Sequence, residues 1–296
     1  MQYALMHALR KQRTIAQSVS VSGFGFWSGR DAHLEFRPAE GDSGIVFVRR
    51  DLDEPIRIKA VVANRIETPR RTTLSSQGAS VEMVEHVMAA LAGLQIDNCE
   101  VWVDEAEMPG CDGSSLPFVQ ALESVGVVEQ PSLRRRLVIR NVTRLGNDES
   151  WVEARPGTNG GLTVKFRLDY GSGNAIGRQT LQLLLTPESF RRELAPSRTF
   201  VLQEEAEWLV SRGLGKRTTY QNVLVFDKNG PLENELRFRD ECVRHKALDL
   251  VGDLALADCD LVGHFIAHRS GHRLNAELVR ALLNEEEIVE SWRRSA

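Results

Sequence analysis

A chain of 296 residues is long enough for one large domain or two ordinary ones, and either carries a sizeable core. Its 42% hydrophobic and 26% charged residues exclude the disordered and fibrous classes, and a net charge of −4 excludes broad attraction to nucleic acid. The four cysteines, Cys99, Cys111, Cys242 and Cys259, form no C-x-x-C pair, so neither a thiolate metal site nor a disulfide scaffold is indicated and a reducing cytoplasm is expected.

The opening "MQYALMHALRKQRT" has no basic segment followed by a long apolar run. No stretch of the chain reaches the ~18 apolar residues of a membrane span, so no transmembrane segment is expected, and contact is limited to a membrane surface. No role is assigned to His7 in this segment or to His33 beyond it. Next, "TIAQSVSVSGFGFWSG" and "AHLEFRPAE" alternate apolar and polar residues, as half-buried strands do. Gly23, Gly25 and Gly29 miss the G-x-G-x-x-G spacing and no βαβ unit follows, which argues against a dinucleotide site.

The pattern then changes to a helical period in "SVEMVEHVMAALAGL", with Ser80 as the expected N-cap and Gly93 near the end. "GCDGSSLPF" (110–118) reads as a tight turn centred on Asp112-Gly113. A boundary is expected at "EQPSLRRRL" (129–137), where the arginine run reads as a solvated linker. Beyond it, "WVEARP" and "GLTVKFRLDY" are strands and "FRDECVRHKALDLVGDLALAD" is a helix. Between them, residues 201–230 form a βαβ-like insert whose apolar residues, such as Leu202, Trp208, Leu209 and Val223, are either core or the wall of an apolar channel.

The second half repeats the first. "LEFRPAEGDSGIVFVRRDL" aligns with "VEARPGTNGGLTVKFRLDY", "RTT" (71–73) with "RTF" (198–200), and "VEHVMAALAGL" with "VRHKALDLVGD". Three echoes in order, at growing offsets, indicate a duplication whose second copy gained insertions. The expected fold is therefore α+β in two similar domains, 1–130 and 131–296, with helices packed face to face.

His245 and Asp249 are an i, i+4 pair whose side chains can converge on one cation. Alone, the spacing is common and suits a structural His–Asp hydrogen bond better than a metal site. The repeat places His86 at the matching position of the other helix, and a His₂Asp set leaves one tetrahedral position for water. Glu85, beside His86, is either a solvated surface carboxylate or the base that takes the water's proton. Asp253, one turn beyond Asp249, suits orientation of a histidine. His272, after a Ser-Gly turn, is either a surface histidine or a general acid.

In order and spacing, "VEHVMAALAGLQIDN", "MPGCDGSSLPFV", "SRTF", "ELRFRDECVRHKALDLVGDL" and "SGHRLN" resemble the UDP-3-O-acyl-N-acetylglucosamine deacetylases, zinc amidases of lipid A synthesis. The resemblance runs from about Gln12 to Leu283. It implies a Zn²⁺ ion, with Fe²⁺ as an alternative, held by His86, His245 and Asp249. It implies Glu85 as general base, His272 as general acid oriented by Asp253, Thr199 at the oxyanion, Lys246 near substrate, and Phe200 at the nucleotide-sugar. It also implies a β-α-α-β sandwich with helices between two outer sheets, an acyl passage in the insert, an acylated UDP-amino-sugar as substrate, and a cytoplasmic monomer. The family's usual G-x-G-L-H-[ST]-G turn reads "GFGFWSG" here, with Trp27 in place of the histidine, so Arg30 or Lys246 is the residue expected to compensate at the diphosphate. The alternatives are a related zinc amidase on another acylated amino sugar and a non-catalytic paralogue that binds such nucleotide-sugars.

Overall fold

The computed structural model describes residues 9–286 and 288–289. It is a mixed α+β molecule whose two larger sheets each draw on one half of the chain. The sheet of the first half has five strands in the order Val19–Phe24, Asp31–Pro38, Cys99–Val103, Ile45–Arg49, Ile56–Lys59. All neighbours in it are antiparallel except Ile45–Arg49 against Cys99–Val103. Alternation sets its faces: Ala32, Leu34 and Phe36 point inward from one strand, and Cys99, Val101 and Val103 from its neighbour.

In the second half, Asp260–His268 is the central strand of a seven-stranded sheet. It pairs antiparallel with Trp151–Arg155 and parallel with both Leu162–Asp169 and Arg136–Val138. Val164, Phe166, Phe265 and Ala267 are buried on its inner side.

Six helices occur among the described residues: α1 (Glu85–Gly93), α2 (Leu116–Val125), α3 (Pro187–Ser189), α4 (Gln203–Ser211), α5 (Glu241–Leu254) and α6 (His272–Glu285). Helix α1 packs on α5, and α5 on α6. In α1 every residue except Ala92 is buried, so this helix lies in the interior rather than lying on the surface with one apolar stripe. Close approach of α1 and α5 requires a glycine at 252, because a Cβ there would meet the Glu85 carbonyl oxygen at 2.1 Å.

Two expectations are corrected. Ser80 does not cap α1: it lies in the strand Ala79–Glu82, and α1 begins at Glu85 after Val84, without a side-chain cap. A strand of four residues carrying Ala79 and Val81 inward had imitated the start of the helical pattern. Nor is 129–137 a solvated linker. Val127–Leu133 is a strand paired with Lys11–Ile15, and the arginines beyond it are charge partners. Arg134 meets Asp97 and Asp258 at 3.0 and 3.1 Å, and Arg135 meets Asp258 at 3.0 Å. Opposite charges supplied from distant parts of the chain hold a run that looks solvated when read locally.

Candidate metal centre and its cleft

Where α1 meets α5, a cleft of about 1740 Å³ is lined by Glu85, His86, His245, Lys246, Asp249 and His272. His86 enters from the first turn of α1, while His245 and Asp249 stand one turn apart on α5. Their donor atoms lie within 4.8 Å of one another and all three residues are buried. His86 Nε2 and His245 Nε2 are 3.6 and 3.4 Å from Asp249 Oδ1, and the two imidazoles meet edge to face at 5.0 Å.

This donor set fits a metal ion. Bonds of ~2.0–2.1 Å in a tetrahedral arrangement separate ligand atoms by about 3.4 Å, close to the separations present. The protonation states agree. Burial pushes the His245 imidazole down to about 4, so it is neutral at physiological pH. His245 Nδ1 lies 3.1 Å from the Ser197 carbonyl oxygen, to which it donates, so Nε2 keeps its lone pair. Burial alone would raise the Asp249 carboxyl, but His245 and Lys246 outweigh it and hold Asp249 well below the usual range. The Lys246 ammonium donates to Asp249 Oδ2 at 2.7 Å.

Two further groups flank this triad. Burial raises the Glu85 carboxyl, an effect that His272 and His86 partly oppose. At the start of α6, His272 lies 2.9 Å from Asp253 Oδ2 through Nδ1. Burial alone would lower the His272 imidazole, but Asp253 outweighs it and brings it up to about 9. His272 is therefore protonated at neutral pH and its Nδ1–H donates to Asp253. Among the described residues, the remaining donors to Asp253 are Thr72 Oγ1, at 2.6 Å from Oδ1, and Asn275 Nδ2, at 2.8 Å from Oδ2.

Thr199 and Phe200 also line the cleft, and the Phe200 ring meets His245 at 6.2 Å. The "GCDGSS" turn supports the site from behind. Thr199 N–H donates to the Gly113 carbonyl at 2.7 Å, and Ser115 Oγ donates to the His86 carbonyl at 2.8 Å. At Gly113, with φ +82°, a Cβ would strike the Asn222 carbonyl oxygen at 2.1 Å. Within the insert, Leu209, Leu214, Val223 and Val225 face the cleft, whereas Leu224 is core and Leu202 is half-buried against it. Trp208 is neither core nor wall: it is half exposed, with the Arg70 and Arg212 guanidiniums 5.9 and 5.3 Å from its ring centre.

Trp27 lines the cleft, and the Arg71 guanidinium lies 4.8 Å from its ring centre. Its turn is held by Glu107, which accepts the N–H groups of Trp27 and Ser28 at 2.8 Å each. Arg30, expected to compensate for the change at Trp27, is turned instead to the surface beside Glu105. Its side chain is 71% exposed, whereas Lys246 does line the cleft. His33 pairs with Asp104, and His7 lies outside the described residues. Thr72 and Asn275 join the site without a sequence pattern of their own that points to it, and the signals that could find them are the repeat at "RTT" and the resemblance at "SGHRLN".

A family model described as UDP-3-O-acyl N-acetylglycosamine deacetylase matches residues 12–284. A Syntrophus aciditrophicus (strain SB) protein named UDP-3-O-acyl-N-acetylglucosamine deacetylase is 37% identical over 277 residues, covering 93% of this chain and 87% of that protein. Proteins of the same name from Brucella melitensis biotype 2 and Brucella ovis are each 40% identical over 287 residues, covering 95% of this chain and 99% of theirs.

Proposed function

The chain belongs to the UDP-3-O-acyl N-acetylglycosamine deacetylase family, and from that premise we propose how its own residues divide the work. The reaction is hydrolysis of the acetamide of UDP-3-O-acyl-N-acetylglucosamine, an early step of lipid A synthesis. It yields acetate and the free 2-amino sugar, still acylated at O-3. His86, His245 and Asp249 hold the ion, which we take to be Zn²⁺. When bound, such an ion polarises the acetamide carbonyl and acidifies water.

Glu85 removes the proton of the attacking water, and its burial makes it a stronger base than an exposed carboxylate. His272 delivers a proton to the departing nitrogen, without which an amine anion would have to leave. With Nδ1 engaged by Asp253, the proton it delivers is the one on Nε2. Thr199 faces the developing oxyanion. Lys246 steadies Asp249 and adds positive charge beside the reacting carbonyl. Phe200 contacts the nucleotide-sugar, and Leu209, Leu214, Val223 and Val225 receive the acyl chain.

We read the fold as two duplicated units, about 1–130 and 131–296, with their helices between outer sheets. The order of strands and helix in each half and the contact of α1 with α5 support this reading. No helix among the described residues is long and apolar enough to cross a membrane. The free thiols suit a cytoplasmic enzyme, and the acylated substrate suits brief contact with the inner-membrane surface.

The observation that carries the assignment is the convergence of His86, His245 and Asp249 beside Glu85 and His272. The test is metal analysis of the purified protein together with acetate release from the acylated UDP-sugar. One bound metal with acetate release supports it, and bound metal with no release from any such substrate overturns it.

A further inference from the structure

We infer that Thr72 is a positioning residue that aims the base and the proton donor of this site at the same time. The inference rests on the roles proposed for Glu85 and His272. Thr72 is 1% exposed and reaches both arms of the chemistry. Its backbone N–H donates to Glu85 Oε2 at 2.9 Å, and its hydroxyl donates to Asp253 Oδ1 at 2.6 Å. Its carbonyl accepts Val84 N–H at 3.3 Å, which ties the residue to the chain entering α1. One threonine thus joins a helix of the first half to a helix of the second.

A threonine suits this position for a physical reason. The terminal torsion of an aspartate is soft, so a carboxylate held through one oxygen swings easily. Asp253 is 0% exposed, and its Oδ2 takes both His272 Nδ1 and Asn275 Nδ2. Ser270 steadies Asn275 in turn, through a 2.9 Å bond to its Oδ1. Among the described residues only the Thr72 hydroxyl is found on the other oxygen, and it fixes the plane of the carboxylate and hence the direction of the His272 ring. A hydrogen bond to a charged group is worth more than a neutral one, and an ionised oxygen buried without a donor is costly. Removing the hydroxyl alone therefore leaves Asp253 a strong reason to rotate. The same residue holds Glu85 through its main chain, so a shift of Thr72 misaims both groups.

The test compares the metal-loaded wild type with Thr72→Val, which keeps the shape and loses the O–H, and with Thr72→Ser, which keeps the O–H and loses a methyl. Metal content, thermal midpoint, kcat and KM are measured for each on UDP-3-O-acyl-N-acetylglucosamine. Loss of a partner that orients a catalytic group costs roughly 10–100-fold. Thr72→Val should lose that much in kcat, with KM within about twofold and full metal content, while Thr72→Ser returns to within about threefold of wild type. The inference is overturned if Thr72→Val keeps kcat within about twofold, if Thr72→Ser falls as far as Thr72→Val, or if Thr72→Val loses metal or unfolds at assay temperature. The last result would make the residue a structural one. Glu85→Ala and His272→Ala run in parallel. If these two retain near-normal turnover, the assignment of base and acid fails. If they are inactive while Thr72→Val is normal, only the role of Thr72 fails.

Discussion

Replacing Asp253 by Asn separates the charge of this residue from its shape. The asparagine oxygen can still accept from His272 Nδ1 and Asn275, and the Thr72 hydroxyl can turn to accept from the new amide, so the packing is preserved. What disappears is the negative charge. Burial alone would lower the His272 imidazole below its ordinary value, and Asp253 is the main influence that brings it to about 9. Glu85 and Asp249 still favour the charged form, so loss of the Asp253 charge moves His272 from about 9 down toward its ordinary value of 6.5. At pH 8 a full return to that value takes the protonated fraction from about 0.9 to about 0.03, so a reaction that needs the acid form slows by up to about 30-fold.

The sign is fixed by which form works. His272 acts protonated, so activity is lost as pH rises through its pKa, and the alkaline limb of kcat/KM moves to lower pH, by up to about two pH units, in Asp253→Asn. Stability follows the same rule. A histidine raised in the fold contributes fully below the unfolded value of 6.5 and loses that contribution as pH rises toward 9. A bound cation lowers both limbs, and the comparison between the two proteins removes that common effect. The assay is acetate release between pH 5.5 and 10, with metal content checked at each end. An unchanged alkaline limb in a folded, metal-loaded Asp253→Asn would show that His272 is not the proton donor.

Glu85→Ala should keep the metal, because Glu85 is no part of the donor triad, and should lose about 10²–10⁴ in kcat, read by metal analysis and single-turnover acetate release. Asp249→Ala should lose metal affinity by at least about tenfold in competition with a chelator, since it removes one of three donors and leaves Lys246 without its carboxylate. Gly252→Ala should force α1 and α5 apart at Glu85, lowering the thermal midpoint by roughly 2–4 °C or more and depressing kcat together with it. A Gly252→Ala protein as stable and active as wild type would mean that the helices tolerate a wider spacing than their contact suggests.

Much of the site was legible because its parts lie on repeating patterns. The i, i+4 spacing of His245 and Asp249 needs only helical geometry, and His86 follows from aligning the two helix segments. The strands Val19–Phe24, Asp31–Pro38, Trp151–Arg155 and Leu162–Asp169 were legible from alternation, whereas Val127–Leu133 and the central strand Asp260–His268 were not, and a strand that runs straight into a helix was hidden as well. Ala79–Glu82 passes into α1 with only Met83 and Val84 between them, and its inward Ala79 and Val81 join the apolar positions of the helix without a break. The arginines at 134 and 135 were misread for another reason. Their partners Asp97 and Asp258 lie far off in the chain, and no local pattern announces a charge pair of that kind.

Thr72 belongs to the same class of hidden residue, and its concealment follows from how the site is built. Glu85 and His86 come from the first half of the chain, while His245, Asp249, Asp253 and His272 come from the second. The donor triad, the base and the acid therefore exist together only when α1 and α5 are in contact, and that contact depends on Gly252 lying against the Glu85 backbone. A residue that aligns the two sides must be near neither in sequence and must touch both. That requirement selects a small, buried donor on a third segment, with its backbone on one helix and its side chain on the other. Periodicity cannot reveal such a residue, because what defines it is a distance across the seam. A perturbation that opens the seam, as Gly252→Ala does, should therefore cost turnover together with stability, since the aim of base and acid and the packing of α1 on α5 both depend steeply on that distance.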